Sequence, residues 1–444
     1  MRGIETIKNI WKIEDLKNRI LITFALIAIY RFGSYVVLPG IDATSLDALD
    51  QQTSGGLMSL LNMFSGGAFA NASIFALGIM PYISASIVIQ LLAIAVPAFQ
   101  KLQREGESGR RKINQYTRYL TVLILLVQGP AYLMNLTVTG IPLPEGIWFK
   151  ISSTIILAGG SMFVLWLGER ITDKGIGNGI SFIIMVGILA RFPDSIVKEF
   201  SSRLGDDGGG LIAFLFEIVF LLFVIAGAIL LVQGTRRIPL QYAKQIVGNK
   251  QYGGVRQYLP LKVNAANVMP IIFAQAIMFI PITLLQFAGQ NQDAWYVSIL
   301  LPLTSHTSVA YVLVSSLLII AFTYFYTAVT INPTQMAEDL KRNNGFIPGI
   351  KPGKKTAEYI DDIMSRITLP GSIFLAIVAN LPALASGALG ISDEFAQFFG
   401  GTSLLILVGV VLDTLQQVES HLLMRHYDGL LKSGRIKGRQ SSAY

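Results

Sequence analysis

Apolar residues in this chain gather in blocks of about twenty, parted by short segments rich in charge, glycine or proline. A helix rises about 1.5 Å per residue and the hydrocarbon core of a bilayer is about 30 Å thick, so each block is long enough to cross it. The blocks run over 20–38, 74–96, 117–137, 149–168, 180–197, 211–233, 265–287, 309–331, 368–387 and 397–418. They predict an all-α polytopic membrane protein of about ten transmembrane helices. Composition agrees: 52% of the 444 residues are hydrophobic and 14% charged, where a soluble domain carries about a quarter charged.

Charge then orients the spans. Lys101, Arg104, Arg110, Arg111, Lys112 and Arg118 follow the second span, and Arg236, Arg237, Lys244, Lys250, Arg256 and Lys262 follow the sixth. Lys341, Arg342, Lys351, Lys354 and Lys355 follow the eighth, and Arg425, Lys432, Arg435, Lys437 and Arg439 lie in the tail 419–444. The intervening stretches 39–56, 287–308 and 387–397 hold no Lys or Arg. The positive-inside rule therefore places the basic loops and both termini in the cytoplasm, as an even span count also requires. Two of these loops, 234–264 and 332–367, are longer than an orientation signal needs, and the first has no acidic residue between Gly234 and Val263. They suit docking of something large and acidic, such as a ribosome or a motor protein. The segment 1–19 is read as an amphipathic helix, in the membrane interface or packed on the cytosolic face. It is not read as a cleavable signal peptide, since Arg31 interrupts the following apolar stretch and no small-x-small site comes behind it.

Residues 57–73 are semi-apolar, too short to cross, and broken by Gly66 and Gly67. Such a segment is either re-entrant, which requires burial in protein or a water-filled cavity, or a surface helix. Enzyme chemistry is not apparent. His306, His421 and His426 have no metal-ligand spacing, the stretch 349–356 fails the phosphate-loop spacing, and there is no cysteine. No metal and no cofactor is expected. A secondary transporter is the rival class, because such proteins keep charge at the midplane. Here Arg31, Glu217 and Asp413 fall on distant spans without an evident partner. The spans instead place isoleucine beside helix-breaking residues, at 78–83, 179–184 and 270–272, where glycine and proline let helices bend.

Six segments resemble the bacterial SecY family, in family order and over essentially the whole chain: FALGIMPYISAS (75–86), EGESGRRKINQYTRY (105–119), WLGERITDKGIGNGIS (166–181), LPLKVN (259–264), GFIPGIKPG (345–353) and FGGTSLLILVGVVLD (399–413). The resemblance implies a protein-conducting channel of the general secretory pathway in the bacterial cytoplasmic membrane. It would have two pseudo-symmetric five-helix halves, 20–197 and 211–418, around a central pore. By matching position, the pore ring would be Ile79, Ile83, Ile180, Ile184, Ile272 and Ile406. The plug would be 57–73, with Leu57, Leu60, Leu61, Met63 and Phe64. The lateral gate would carry Ser84, Gln128 and Gln275. Docking of a SecA motor or a ribosome would use Arg236, Arg237, Lys244, Lys250, Arg256 and Lys351, and the implied companions are SecE and SecG. Family members usually carry arginine where this chain has Lys351, which keeps the charge but loses the planar donor fork.

Overall fold

The computed structural model describes residues 13–42, 46, 49, 62–138, 140–144, 146–205, 210–242, 245–247, 250–252, 256–275, 277–278, 300–303 and 308–432. Helix α1 spans Glu14–Gly33, and after a long run of turns α2 spans Met80–Ala95 and α3 Pro97–Arg104. The first half of the chain continues with α4 (Glu107–Val138), α5 (Ile147–Lys174) and α6 (Gly179–Arg203). Then come α7 (Gly210–Gln233), strands β1 (Thr235–Tyr242), β2 (Gln245–Val247), β3 (Lys250–Tyr252) and β4 (Arg256–Lys262), α8 (Val309–Thr330) and α9 (Pro333–Arg342). Strand β5 (Gly345–Phe346), α10 (Lys354–Leu389), α11 (Asp393–Ala396) and α12 (Gly401–Lys432) complete the order. Helical residues at 269–275 and 277–278 begin the seventh predicted span, so every predicted span has a helix in whole or in part. Seven of the described helices are long and apolar enough to cross a membrane, or eight if the bent pair α2–α3 counts as one. Helix α1 carries charge at both ends, Glu14, Asp15, Lys17 and Arg19 at one and Arg31 at the other.

Two predicted boundaries shift, for local reasons. The second predicted span covers 74–96, yet residues 74–79 are turns and the helix starts at Met80. Gly78 sits at φ 53°, outside the helical region, and Pro81 stands in the first turn, where its missing N–H costs nothing. At the other end Val96 is extended (φ −109°, ψ 119°), the conformation favoured before proline, and α3 leaves α2 at 101°. The ninth span, predicted at 368–387, belongs to a 36-residue helix. At 1.5 Å per residue α10 is about 54 Å long, so its first turns project beyond the hydrocarbon.

Those projecting turns organise the basic face. Strand β1 pairs antiparallel with β4, from Thr235↔Lys262 to Gln241↔Arg256. It also pairs with β5 through Gln241↔Phe346 and Tyr242↔Gly345. Loops 234–264 and 332–367 therefore meet in a three-stranded sheet in the order β4–β1–β5, while β2 and β3 pair with each other. Alternation along β1, with Arg237 and Pro239 outward and Ile238 and Leu240 buried, gives the sheet an apolar face. That face packs on Leu261, Leu340, Ile347, Ile360 and Met364, the last two from α10.

The outer surface of the bundle is apolar, with Phe24, Leu123, Ile155, Ile212, Phe223 and Leu317 all largely exposed, as lipid contact permits. Two buried threonine hydroxyls turn back onto their own helices. Thr121 donates to the Thr117 carbonyl at 2.7 Å and Thr323 to the Ile319 carbonyl at 2.6 Å, satisfying polar groups where no water is available.

Candidate pore and plug

The segment read as re-entrant or superficial is buried. Among its described residues, Asn62, Met63, Phe64, Ser65, Ala68 and Phe69 are each no more than 6% exposed. Its shape comes from its own polar side chains: the Asn62 Oδ1 accepts from the Ala70 N–H at 3.0 Å, and the Ser65 Oγ accepts from the Phe69 N–H at 3.1 Å. Gly66 (φ 64°) and Gly67 (φ 89°) make a turn in the left-handed region that other residues enter at a cost. Gly66 also lies so close to Gly187 of α6 that a Cβ there would stand 2.9 Å from the Gly187 Cα. Around this turn the Tyr30 hydroxyl donates to the Ser65 carbonyl (3.0 Å), Arg31 Nη1 to the Gly66 carbonyl (2.7 Å) and the Tyr132 hydroxyl to the Phe69 carbonyl (2.8 Å). Leu57, Leu60 and Leu61 lie outside the described residues.

Beside it sits the largest apolar cluster among the described residues, joining helices from both halves of the chain. Five of the six predicted ring residues belong to it: Ile79 and Ile184 and Ile406 as buried members, Ile83 and Ile180 packed against them. Met63 and Phe64 belong to the same cluster. Ile79 is the N-cap of α2 and Ile83 lies one turn on, while Ile180 and Ile184 stand one turn apart on α6; spacing of four puts each pair on one helix face. The start of α6 is held by the Asn178 side chain, which accepts from the Ile180 and Ser181 N–H groups at 3.1 and 3.3 Å. Ile272 is half-buried and is not a member of the cluster.

The three predicted gate residues are not joined by hydrogen bonds among the described residues. Ser84 is half-buried on α2 and Gln128 is exposed on α4. Gln275 accepts from Thr402 of α12, at 3.4 Å. Of the predicted docking cations, Arg236 and Arg237 are exposed on β1, and Lys351 is exposed between Gly349 (φ 84°) and Gly353 (φ 98°). Lys244 and the side chains of Lys250 and Arg256 lie outside the described residues.

The charges that lacked partners in the sequence acquire them. Arg31 binds the Gly66 carbonyl, and Asp413 accepts from Gln417 at 3.2 Å. Glu217 of α7 pairs with Arg203, whose Nε lies 2.9 Å from Glu199. Arg203 Nη2 also donates to the Leu389 and Gly390 carbonyls, each at 3.0 Å. Glu199 in turn accepts from the Ser392 N–H at 3.0 Å and from its hydroxyl. Glu199 and Glu217 are 1% and 3% exposed, so this ionic cluster is an internal bolt between α6, α7 and the α10–α11 turn. Sequence reading missed it. The only signal was Glu217 inside an apolar span, and nothing in the spacing pointed to Arg203. No group of His, Asp and Glu able to hold a metal occurs among the described residues.

The described helices form a polytopic apolar bundle in which residues 62–69 are buried against the cluster that holds five of the six predicted ring residues, the class of an α-helical multi-pass membrane protein. A family model described as SecY matches residues 73–415. The chain is 41% identical to the protein translocase subunit SecY of Streptomyces scabiei, with 95% of this chain and 98% of that protein covered. It is 43% identical to the protein translocase subunit SecY of Haemophilus influenzae, with 96% of each covered. Among solved structures it resembles "The structure of a protein conducting channel" at a TM-score of 0.58 and 16% identity, with 96% of this chain and 95% of that one covered. It also resembles Sec61 in the canine ribosome-channel complex from the endoplasmic reticulum, at a TM-score of 0.56 and 14% identity over 96% and 95%. The chain belongs to the SecY family.

Proposed function

We propose that this chain is the protein-conducting channel of a bacterial cytoplasmic membrane, with both termini and the basic sheet in the cytoplasm. It passes unfolded polypeptides across and releases apolar segments sideways into lipid. It is a passive pore and not an enzyme; a ribosome or a SecA-type ATPase supplies the energy, and SecE and SecG accompany it. The observation that carries the reading is that residues 62–69 are buried against the same apolar cluster that gathers Ile79, Ile83, Ile180, Ile184 and Ile406. That is the arrangement a plug and a pore ring require. Arg31 and Glu217, the charges that would suit a secondary transporter, instead tie segments of the bundle to one another. Excision of residues 57–66 should leave an assembled channel that leaks small ions and accepts weaker signal sequences. Single-channel recording of the purified protein in planar bilayers measures it. Loss of the protein from the membrane, with no leaky population, would make the segment a structural element instead.

The three-stranded sheet gives the docking surface a defined shape. Arg236 and Arg237 project from a strand whose neighbours are β4 and β5, so the sheet ties the second loop to the strand that carries these two cations. Reversal of Arg236, Arg237 and Lys250 to glutamate should weaken ribosome binding. It should also flatten the salt dependence by about one unit of log–log slope for each phosphate that is no longer neutralised. Unchanged binding at low salt would reduce these charges to orientation signals.

A further inference from the structure

We propose that Tyr30 and Arg31, at the end of the first span, form a latch that holds the plug by its backbone and thereby sets how readily the channel opens. This rests on reading residues 57–73 as the plug. Two adjacent side chains of α1 each donate a hydrogen bond to two adjacent carbonyls of the Ser65–Gly66 turn, at 3.0 and 2.7 Å. The left-handed glycines give that turn its shape, and the turn is wedged against Gly187. Ser65 is 2% exposed, so its carbonyl needs a partner in place. The donors are themselves held. Arg31 Nη2 donates to the Tyr35 hydroxyl at 3.0 Å, with the guanidinium carbon 5.3 Å from the Tyr35 ring. The Tyr30 ring stacks on Phe75, at 6.3 Å between centroids.

The chemistry of the contact suits a reversible catch. Backbone carbonyls are the acceptors, so retention depends on the shape of the turn rather than on particular plug side chains. When the plug swings into a hydrated vestibule, water replaces both donors, and the net cost of opening is that of a hydrogen-bond exchange rather than of an exposed charge pair. A charge-assisted hydrogen bond of this kind shifts an equilibrium by about tenfold to a hundredfold, a neutral one by about threefold to tenfold.

The test compares Arg31→Met, Arg31→Lys and Tyr30→Phe in the full chain and in the chain lacking 57–66, by resting ion conductance in planar bilayers and by export of a substrate with a weakened signal sequence. Arg31→Met is expected to raise the open fraction of the intact channel about tenfold or more, Tyr30→Phe about threefold or more, and Arg31→Lys to fall between wild type and Arg31→Met. Neither Arg31→Met nor Tyr30→Phe should add to the leak of the excised channel, which has lost both acceptors. If the excised channel leaks while Arg31→Met and Tyr30→Phe stay at wild-type levels, the latch is wrong and the plug stands. Equal increments with and without the plug would also overturn the latch. An excised channel that does not leak overturns the plug and the latch together. Should Arg31→Met fail to accumulate, Tyr30→Phe decides, because it removes one hydroxyl and leaves the ring stack in place.

Discussion

Asparagine at both Ile83 and Ile184 is expected to turn a sealed resting channel into one that conducts ions continuously. Ile184 is a buried member of the central cluster and Ile83 is packed against that cluster. An apolar constriction resists hydration and closes by dewetting, and isoleucine, β-branched and stiff at χ1, fills it without hydrogen-bonding whatever passes. Two carboxamides reverse that preference. Left dry, each costs about 1–3 kcal/mol, and that penalty disappears once water enters. Two such groups move the dry–wet equilibrium by a factor of about 30 or more. Signal-sequence selectivity should relax in parallel, because less of the opening free energy is left for the signal to provide. Export of a normal substrate should continue, since no ring residue does chemistry. Recordings in planar bilayers beside a secretion assay decide it. Background conductance with unaffected export would remove these two residues from the pore.

The largest loss of stability should follow Arg203→Met. The change keeps most of the side-chain volume but removes the cation that meets Glu199, Glu217 and the Leu389 and Gly390 carbonyls. Two carboxylates at 1% and 3% exposure would then face each other unneutralised. Removing one partner of a buried ion pair costs about 3–5 kcal/mol, a large part of the stability of an ordinary domain. Thermal unfolding in detergent should show a markedly lower midpoint for Arg203→Met and partial recovery when Glu217→Gln is added, because one uncompensated charge is gone. A midpoint equal to wild type would mean that the bolt does not hold these helices together. Ser392 bonds Glu199 independently, so the damage should centre on α7, where Glu217 has only the Arg203 pair among the described residues.

Much of this could be read along the chain. The spans were legible because about twenty consecutive apolar residues suffice to cross a bilayer, a property each segment has without its neighbours. The expected orientation rests on the same kind of local quantity, Lys and Arg counted loop by loop. The isoleucines were legible as candidates through the blocks that carry them, and five of the six meet in one cluster. Where local rules compete, the reading slipped. The second span looked apolar from residue 74, but Gly78 and Pro81 delay the helix to Met80. Length and hydropathy also left residues 57–73 undecided between surface and interior, because both places accept a semi-apolar segment.

What the sequence by itself determined, then, is the helical membrane class, the expectation of about ten spans and the absence of enzyme motifs, all of which follow from composition and short-range pattern. Only the tertiary structure decided that strands from two loops meet in one sheet, that Tyr30 and Arg31 bind the Ser65 and Gly66 carbonyls, and that Glu217 answers to Arg203. The acceptors at Ser65 and Gly66 are main-chain carbonyls, which every residue possesses and no side-chain pattern marks. Partners such as Tyr242 and Gly345, about a hundred residues apart, meet only because α8 and the start of α10 bring them to the same face. Span and charge are properties of a segment; a hydrogen bond between distant segments is a property of how they pack.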